Sequence, residues 1–253
     1  MASEYHHGLT FVHESNEIRP VDPARMTTIG VVGTAGEGVD EEAFPLNEPR
    51  HVYTYEIDQL EKLGLGGTLR DAVDAISDQG VAASLIIQRV KEGADIEQTL
   101  SNVIGSAASA TGVHGFNHCA SELGVEPNII VALGFTSQRP GNDANPVVAE
   151  LIPICERLMS VMIADGPDTD REAALEYRRD HNSSRLIIVD PHVKLWREGD
   201  TAPTIQPASA RVAGLGVKRD KEKGGPFWSF SNQTVGGIAG VSRPTSYYID
   251  DTK

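Results

Sequence analysis

The sequence predicts an α/β protein: a three-layer unit with a parallel or mixed sheet, preceded by a smaller β-rich α+β unit and an extended N-terminal arm. Three observations carry this. Short runs at Ala83–Val90 (ASLIIQRV), Asn128–Leu133 (NIIVAL), Ser160–Ala164 and Arg185–Val189 (RLIIV) are largely apolar, as strands covered on both faces must be. Helix-length segments of 3.6 period separate them, the pattern of a sheet with helices on both sides. The first 25 residues set Leu9, Phe11 and Val12 among histidines, acids and prolines, and so cannot build a core of their own.

In chain order, residues 1–25 form the arm. Residues 26–95 form the β-rich unit, opening with a strand over Thr27–Val32 (TTIGVV) closed by glycines. An acidic, proline-punctuated loop follows over Glu37–Pro49, then a strand over His51–Ile57. A helix begins near Thr68, its expected N-cap, and runs through Leu69, Val73 and Ile76 to Gly80. Residues 96–220 form the α/β unit. Its helices are expected near Asp95–Ile104, where Ile96, Leu100, Val103 and Ile104 share a face, near Val113–Leu123, from Pro146, and over Thr169–Arg179. Residues 221–253 are Gly-rich and aromatic with strand-like pieces.

Composition removes several functions. Lysine and arginine number 22 against 36 aspartates and glutamates, a net charge of −14, so the overall field repels phosphate backbones and anionic membranes. No apolar run approaches the roughly 18 to 20 residues that cross a bilayer. The N-terminus (MASEYHH) has neither a basic nor an apolar signal region, so residence in the cytoplasm is expected. Cys119 and Cys155 lie in apolar, helix-like segments and suit reduced, buried thiols.

Candidate chemistry is sparse, and no catalytic, cofactor or metal site is expected. Gly30, Gly33, Gly36 and Gly38 follow a strand, but their spacing fits neither phosphate-binding fingerprint and no helix opens directly after them; they read as a flexible exit into a loop. Asp165 and Asp190 each close an apolar strand, where doubly wound sheets bind ligands, yet each precedes a turn that Asp ordinarily initiates. An enzyme with a ligand or metal site at that carboxyl edge, drawing also on His114 or His192, is the alternative to a structural protein. His114 and His118 have the spacing of two zinc ligands but no third, and no G-x-S-x-G elbow exists. Arg178 and Arg179 are expected to pair with Glu172, Glu176 and Asp180 on a solvated helix face. Phe227, Trp228 and Phe230 form an aromatic loop suited to a protein interface.

A series of blocks then resembles contractile phage tail sheath proteins in their order. They are Gly8–Ser15 (GLTFVHES), Ile18–Val21 (IRPV), Thr27–Ala35 (TTIGVVGTA), Phe44–Pro49 (FPLNEP), Asn128–Phe135 (NIIVALGF) and Ile163–Pro167 (IADGP). They continue with Ser183–Pro191 (SSRLIIVDP), Pro207–Gly214 (PASARVAG), Phe227–Gln233 (FWSFSNQ) and Gly240–Pro244 (GVSRP). The chain is also similar to the sheaths of R-type tailocins. The resemblance implies a structural subunit without an active site, made in the host bacterial cytoplasm and carried in the virion tail. It implies partners too: other sheath subunits in stacked hexameric rings, the tail tube protein, and the baseplate and tail terminator proteins, with neither nucleic acid nor membrane. Contraction of the lattice drives the tube through the target envelope. Terminal arms in this family add strands to neighbouring copies, which would give Leu9, Phe11 and Val12 the buried contacts. Members continue past the position of Lys253 with a further α/β segment and a C-terminal arm, so the resemblance implies a chain without them.

Overall fold

The computed structural model describes residues 27–197, 199–225 and 228–245. A six-stranded sheet in the order β2-β3-β1-β4-β5-β6 forms its centre, from β1 (Thr28–Thr34), β2 (Pro49–Tyr53), β3 (Ser84–Val90), β4 (Ile129–Val131), β5 (Val161–Asp165) and β6 (Leu186–Val189). All neighbours run parallel except β2, an antiparallel edge strand on β3.

Strand alternation divides the core into two faces. Ile29, Val31, Leu85, Ile87, Ile129, Val131 and Ile163 point to one face. There they meet Leu69, Val73 and Ile76 of α2 (Gly67–Ser77) and Ala210, Ala213 and Val217 of α7 (Ser209–Lys223). Val32, Ile86, Ile130, Met162 and Ala164 point to the other. That face is covered by α3 (Ile96–Ile104), a 3-10 turn (Gly112–His118), α4 (Cys119–Leu123) and α5 (Pro146–Leu158). The short α1 (Ile57–Glu61) follows β2, and α6 (Arg171–Asp180) buries only Tyr177. A separate three-stranded antiparallel sheet has the order β8-β7-β9, from β7 (Val193–Leu195), β8 (Thr204–Gln206) and β9 (Gly240–Val241).

The separate β-rich unit expected over residues 26–95 is corrected. β1 lies between β3 and β4, so residues on both sides of position 95 share one sheet and one pair of cores. Thr68 does not cap α2 either: Gly66 occupies that position, while the Thr68 hydroxyl accepts the Thr34 N–H at 2.9 Å. The segment expected to be helical over Val113–Leu123 is a tight turn before a short helix, pressed onto β3 where a Cβ on Gly115 would lie 2.7 Å from the Gln88 amide. Gly30, Gly33 and Gly36 are packing positions and not a flexible exit, whereas Gly38 stands at φ 79° in open space. A Cβ on Gly33 would meet Thr68 Oγ1 at 2.4 Å, and one on Gly36 would meet the Leu65 carbonyl oxygen at 1.9 Å.

Candidate functional site

The carboxyl ends of the strands are where chemistry would be sought. Between β1 and β4, where the strand order switches direction, the chain fills its own crevice: Glu37 bridges to Leu65, and the Thr34 amide is taken by Thr68. The remaining opening of 580 Å³ is lined by Glu37, Asp71 and Glu92 with no lysine or arginine. Such a surface disfavours phosphate.

At the ends of β5 and β6, Asp165 and Asp190 do come together with His192, but their oxygens are engaged. Asp165 is fully buried and accepts the Ala208 and Ser209 amides at 2.7 and 2.8 Å and the Ser209 hydroxyl at 2.5 Å. It therefore caps α7, whose own N-cap residue, Ala208, has no side-chain acceptor. Burial pushes its carboxyl above the ordinary carboxylate range, against the opposing pull of Ser209, His192 and Ala208. Asp190 accepts the Asp168 amide at 3.0 Å and pairs with Arg243. Asp168, which sequence reasoning passed over, sits at φ 55° and accepts the His192 amide at 2.9 Å and the Ser242 hydroxyl. Its other oxygen lies 3.5 Å from His192 Nδ1. These groups bind the small sheet to the end of the large one. Among the described residues no three of His, Cys, Asp and Glu converge as a metal site.

The histidine pair does not form a unit. His114 is buried, with Nε2 3.3 Å from Glu150 Oε1, whereas His118 is exposed. Burial pushes the thiols of Cys119 and Cys155 up to about 12, which removes them as nucleophiles near neutrality. Arg178 and Arg179 do not make the ion pairs expected of them. Arg139, from the loop before α5, takes Glu176 at 3.1 Å and Asp180 at 2.8 Å and leaves both arginines exposed.

Interaction surfaces are better represented than catalytic ones. Leu9, Phe11, Val12 and Phe227 lie outside the described residues. Trp228 is 57% exposed with the Lys223 ammonium 5.7 Å from its ring centre, while the Phe230 ring turns inward toward Gly216 of α7. Sequence reasoning missed Leu65, Tyr55, Ile57 and Trp196, all at least 60% exposed. Leu65 and Trp196 stand outside any periodic segment, while Tyr55 and Ile57 fall within the strand expected over His51–Ile57, which ends at Tyr53 and leaves them uncovered. Both ends of the large sheet, β2 and β6, lack a further strand among the described residues. No helix among those residues is long and apolar enough to cross a membrane.

Comparison with known proteins adds to this. No protein-family model matches the sequence. The chain is similar to the putative prophage major tail sheath protein of Pseudomonas aeruginosa (strain UCBPP-PA14), at 31% identity over 98% of this chain and 62% of that protein. It is 29% identical to the tail sheath protein of Escherichia phage P2, over 99% of this chain and 63% of the relative. Against the tail sheath protein of Burkholderia phage BcepMu it is 25% identical, over 99% and 69%. The chain thus spans a little over three fifths of the length of the first two relatives. The fold matches the PVC sheath complex of an extracellular contractile injection system, in its contracted state, with a TM-score of 0.58 at 14% identity, covering 94% of this chain and 57% of that one.

Proposed function

We propose that this chain, homologous to the tail sheath proteins along almost its whole length, is the structural subunit of a contractile tail sheath. The similarity to the Pseudomonas and phage P2 proteins over 98 and 99% of the chain carries this reading. In this reading the carboxylates at the strand ends serve the fold, Asp165 capping α7 and Asp190 pairing with Arg243.

Function in such a subunit resides in its contacts with other copies. A lattice with two arrangements stores free energy as the difference between two sets of subunit contacts, and a trigger at one end releases it copy by copy. Moderate, rearrangeable contacts suit this better than one large apolar interface. Residues 1–25 act as a tether in this reading, with Leu9, Phe11 and Val12 adding a strand to a neighbour. The tail tube, baseplate and terminator proteins are its further partners, and the virion tail is its location after synthesis in the host cytoplasm. Electron microscopy across salt and protein concentration tests the reading: rings or helical rods are expected. A chain that stays a monodisperse monomer throughout overturns it.

A further inference from the structure

The two open ends of the large sheet differ in charge and shape. At the β6 end, Arg178 and Arg179 are exposed and make no ion pair among the described residues. They border a groove of 670 Å³ together with His181, Leu186 and Ile188. Leu186 and Ile188 are two apart on an edge strand, so they share one face of it and floor the groove with apolar surface. Arg185, beside them, donates to the Met159 carbonyl and sulfur and makes no ion pair among the described residues. Arg139 pairs with both nearby acids, Glu176 and Asp180, and offsets one of their two charges.

At the β2 end the pattern inverts. Glu56, Asp58 and Glu61 make no ion pair among the described residues, and α4, which packs against β2, adds an exposed Glu122. In their midst Tyr55 is 63% exposed and stacks on Tyr53 with ring centres 5.1 Å apart, and Ile57 is 62% exposed. Tyrosine surrounded by acids is a fitting occupant for an apolar groove rimmed by arginines, which bind both carboxylates and aromatic faces.

We propose that copies of this chain meet head to tail, the acidic, aromatic β2–α1 end of one seating in the basic β6 groove of the next. The inference rests on the reading of the chain as a self-assembling subunit and names the surface involved. A second copy is the occupant because this chain carries both halves of the match, and because a net charge of −14 makes an uncompensated basic groove the place where like subunits attract. The two halves lie at opposite ends of one sheet, so the contact is heterologous and repeats into rings or helical arrays, where a two-fold contact would stop at a dimer.

The test reverses each end separately. One chain carries Arg178→Glu with Arg179→Glu, the other Asp58→Lys with Glu61→Lys, all at exposed positions. Sedimentation and light scattering are expected to show that each variant alone needs about tenfold or more protein than the wild type to associate. An equimolar mixture is expected to recover wild-type association, because each reversed end then meets its complement. Denaturation midpoints confirm that the variants fold. A mixed preparation of Arg179→Cys and Asp58→Cys chains, expected to form an intermolecular disulfide, gives a second readout, since both native cysteines are buried. If the wild type stays monomeric under every condition, the subunit reading and this contact fall together. If the wild type assembles and the reversed chains assemble equally well, or if mixing fails to restore association, the contact alone falls and the groove serves an acidic partner other than this chain.

Discussion

The large and small sheets are stabilised in different ways. In the large sheet, β1 and β3 bury nearly every residue on both faces, and stability comes from apolar area removed from water. The small sheet has strands of two or three residues and, among the described residues, a small buried cluster of Val193, Leu195 and Ala208, with Val189 of β6 and Ile238 packed against it. Directed polar contacts hold it: Asp168 and Asp190 grip Ser242, Arg243 and the start of β7, while Gln79 and Arg211 hold the Gly236 backbone. Apolar packing tolerates small displacements but not cavities, whereas a polar attachment is local and gives way as a unit. Residues 228–245 should therefore open before the rest of the molecule does.

Perturbations that act on one region and spare the other test this contrast. The largest effect is expected from Ile87→Ala in β3, a fully buried position, which should cost about 2–5 kcal/mol in chemical denaturation and lower the whole transition. Next comes Arg243→Ala. Its partner Asp190 is nearly buried but the arginine is partly solvated, so about 1–2 kcal/mol is the expected loss. Hydrogen exchange should quicken in residues 228–245 and β7 while β1 and β3 keep their protection. Cys119 and Cys155, on the far face of the large sheet, should stay inert to alkylation at pH 8 in that variant. Equal loss of protection in both sheets would abolish the distinction.

The pH dependence of Asp165 ranks third. Its folded pKa is raised, so its favourable contribution is complete below the ordinary carboxylate range and is lost as pH rises through the raised value. The stability of the wild type relative to Asp165→Asn should fall across that window in denaturation at a series of pH values. The smallest effect belongs to Trp196→Ala at an exposed site on the small sheet, expected within about 0.5 kcal/mol of the wild type in the same measurement.

The sequence revealed the parts whose signal is local. β1, β3, β4 and β5 read as strands because burial on both faces makes a run largely apolar, and the half-buried edge strand β6 is apolar as well. The shared apolar face near Asp95–Ile104, Pro146 at a helix start and the acidic start near Thr169 announce α3, α5 and α6, which the structure caps with Asp95, Asn145 and Asp170. What it hid was made by distant partners. The strand order joins residues 28 and 84 and then 29 and 129, and no local pattern encodes such neighbours. Helix α7 escaped notice because Gly214 and Gly216 blur its periodicity. Their reason is tertiary, for a Cβ on Gly214 would lie 2.9 Å from Gln79 and 3.0 Å from the Ile76 carbonyl oxygen of α2. At the strand ends Asp165 and Asp190 were legible as candidates, but their partners Ser209 and Arg243 stand 44 and 53 residues away. Arg178 and Arg179 were assigned neighbours by helical spacing, which Arg139 outcompetes from outside the helix.

The position of β1 also bears on how the chain acquires its shape. It is the earliest described strand to be synthesised, yet neither flank is covered until β3 and then β4 have followed, 56 and 100 residues later. A nascent chain thus carries an apolar strand with two open sides through much of its synthesis. Pairings at this range are slow to close and expose the chain to aggregation meanwhile. Recombinant yield should then depend on growth temperature and chaperone supply more steeply than the stability of the finished fold alone would suggest.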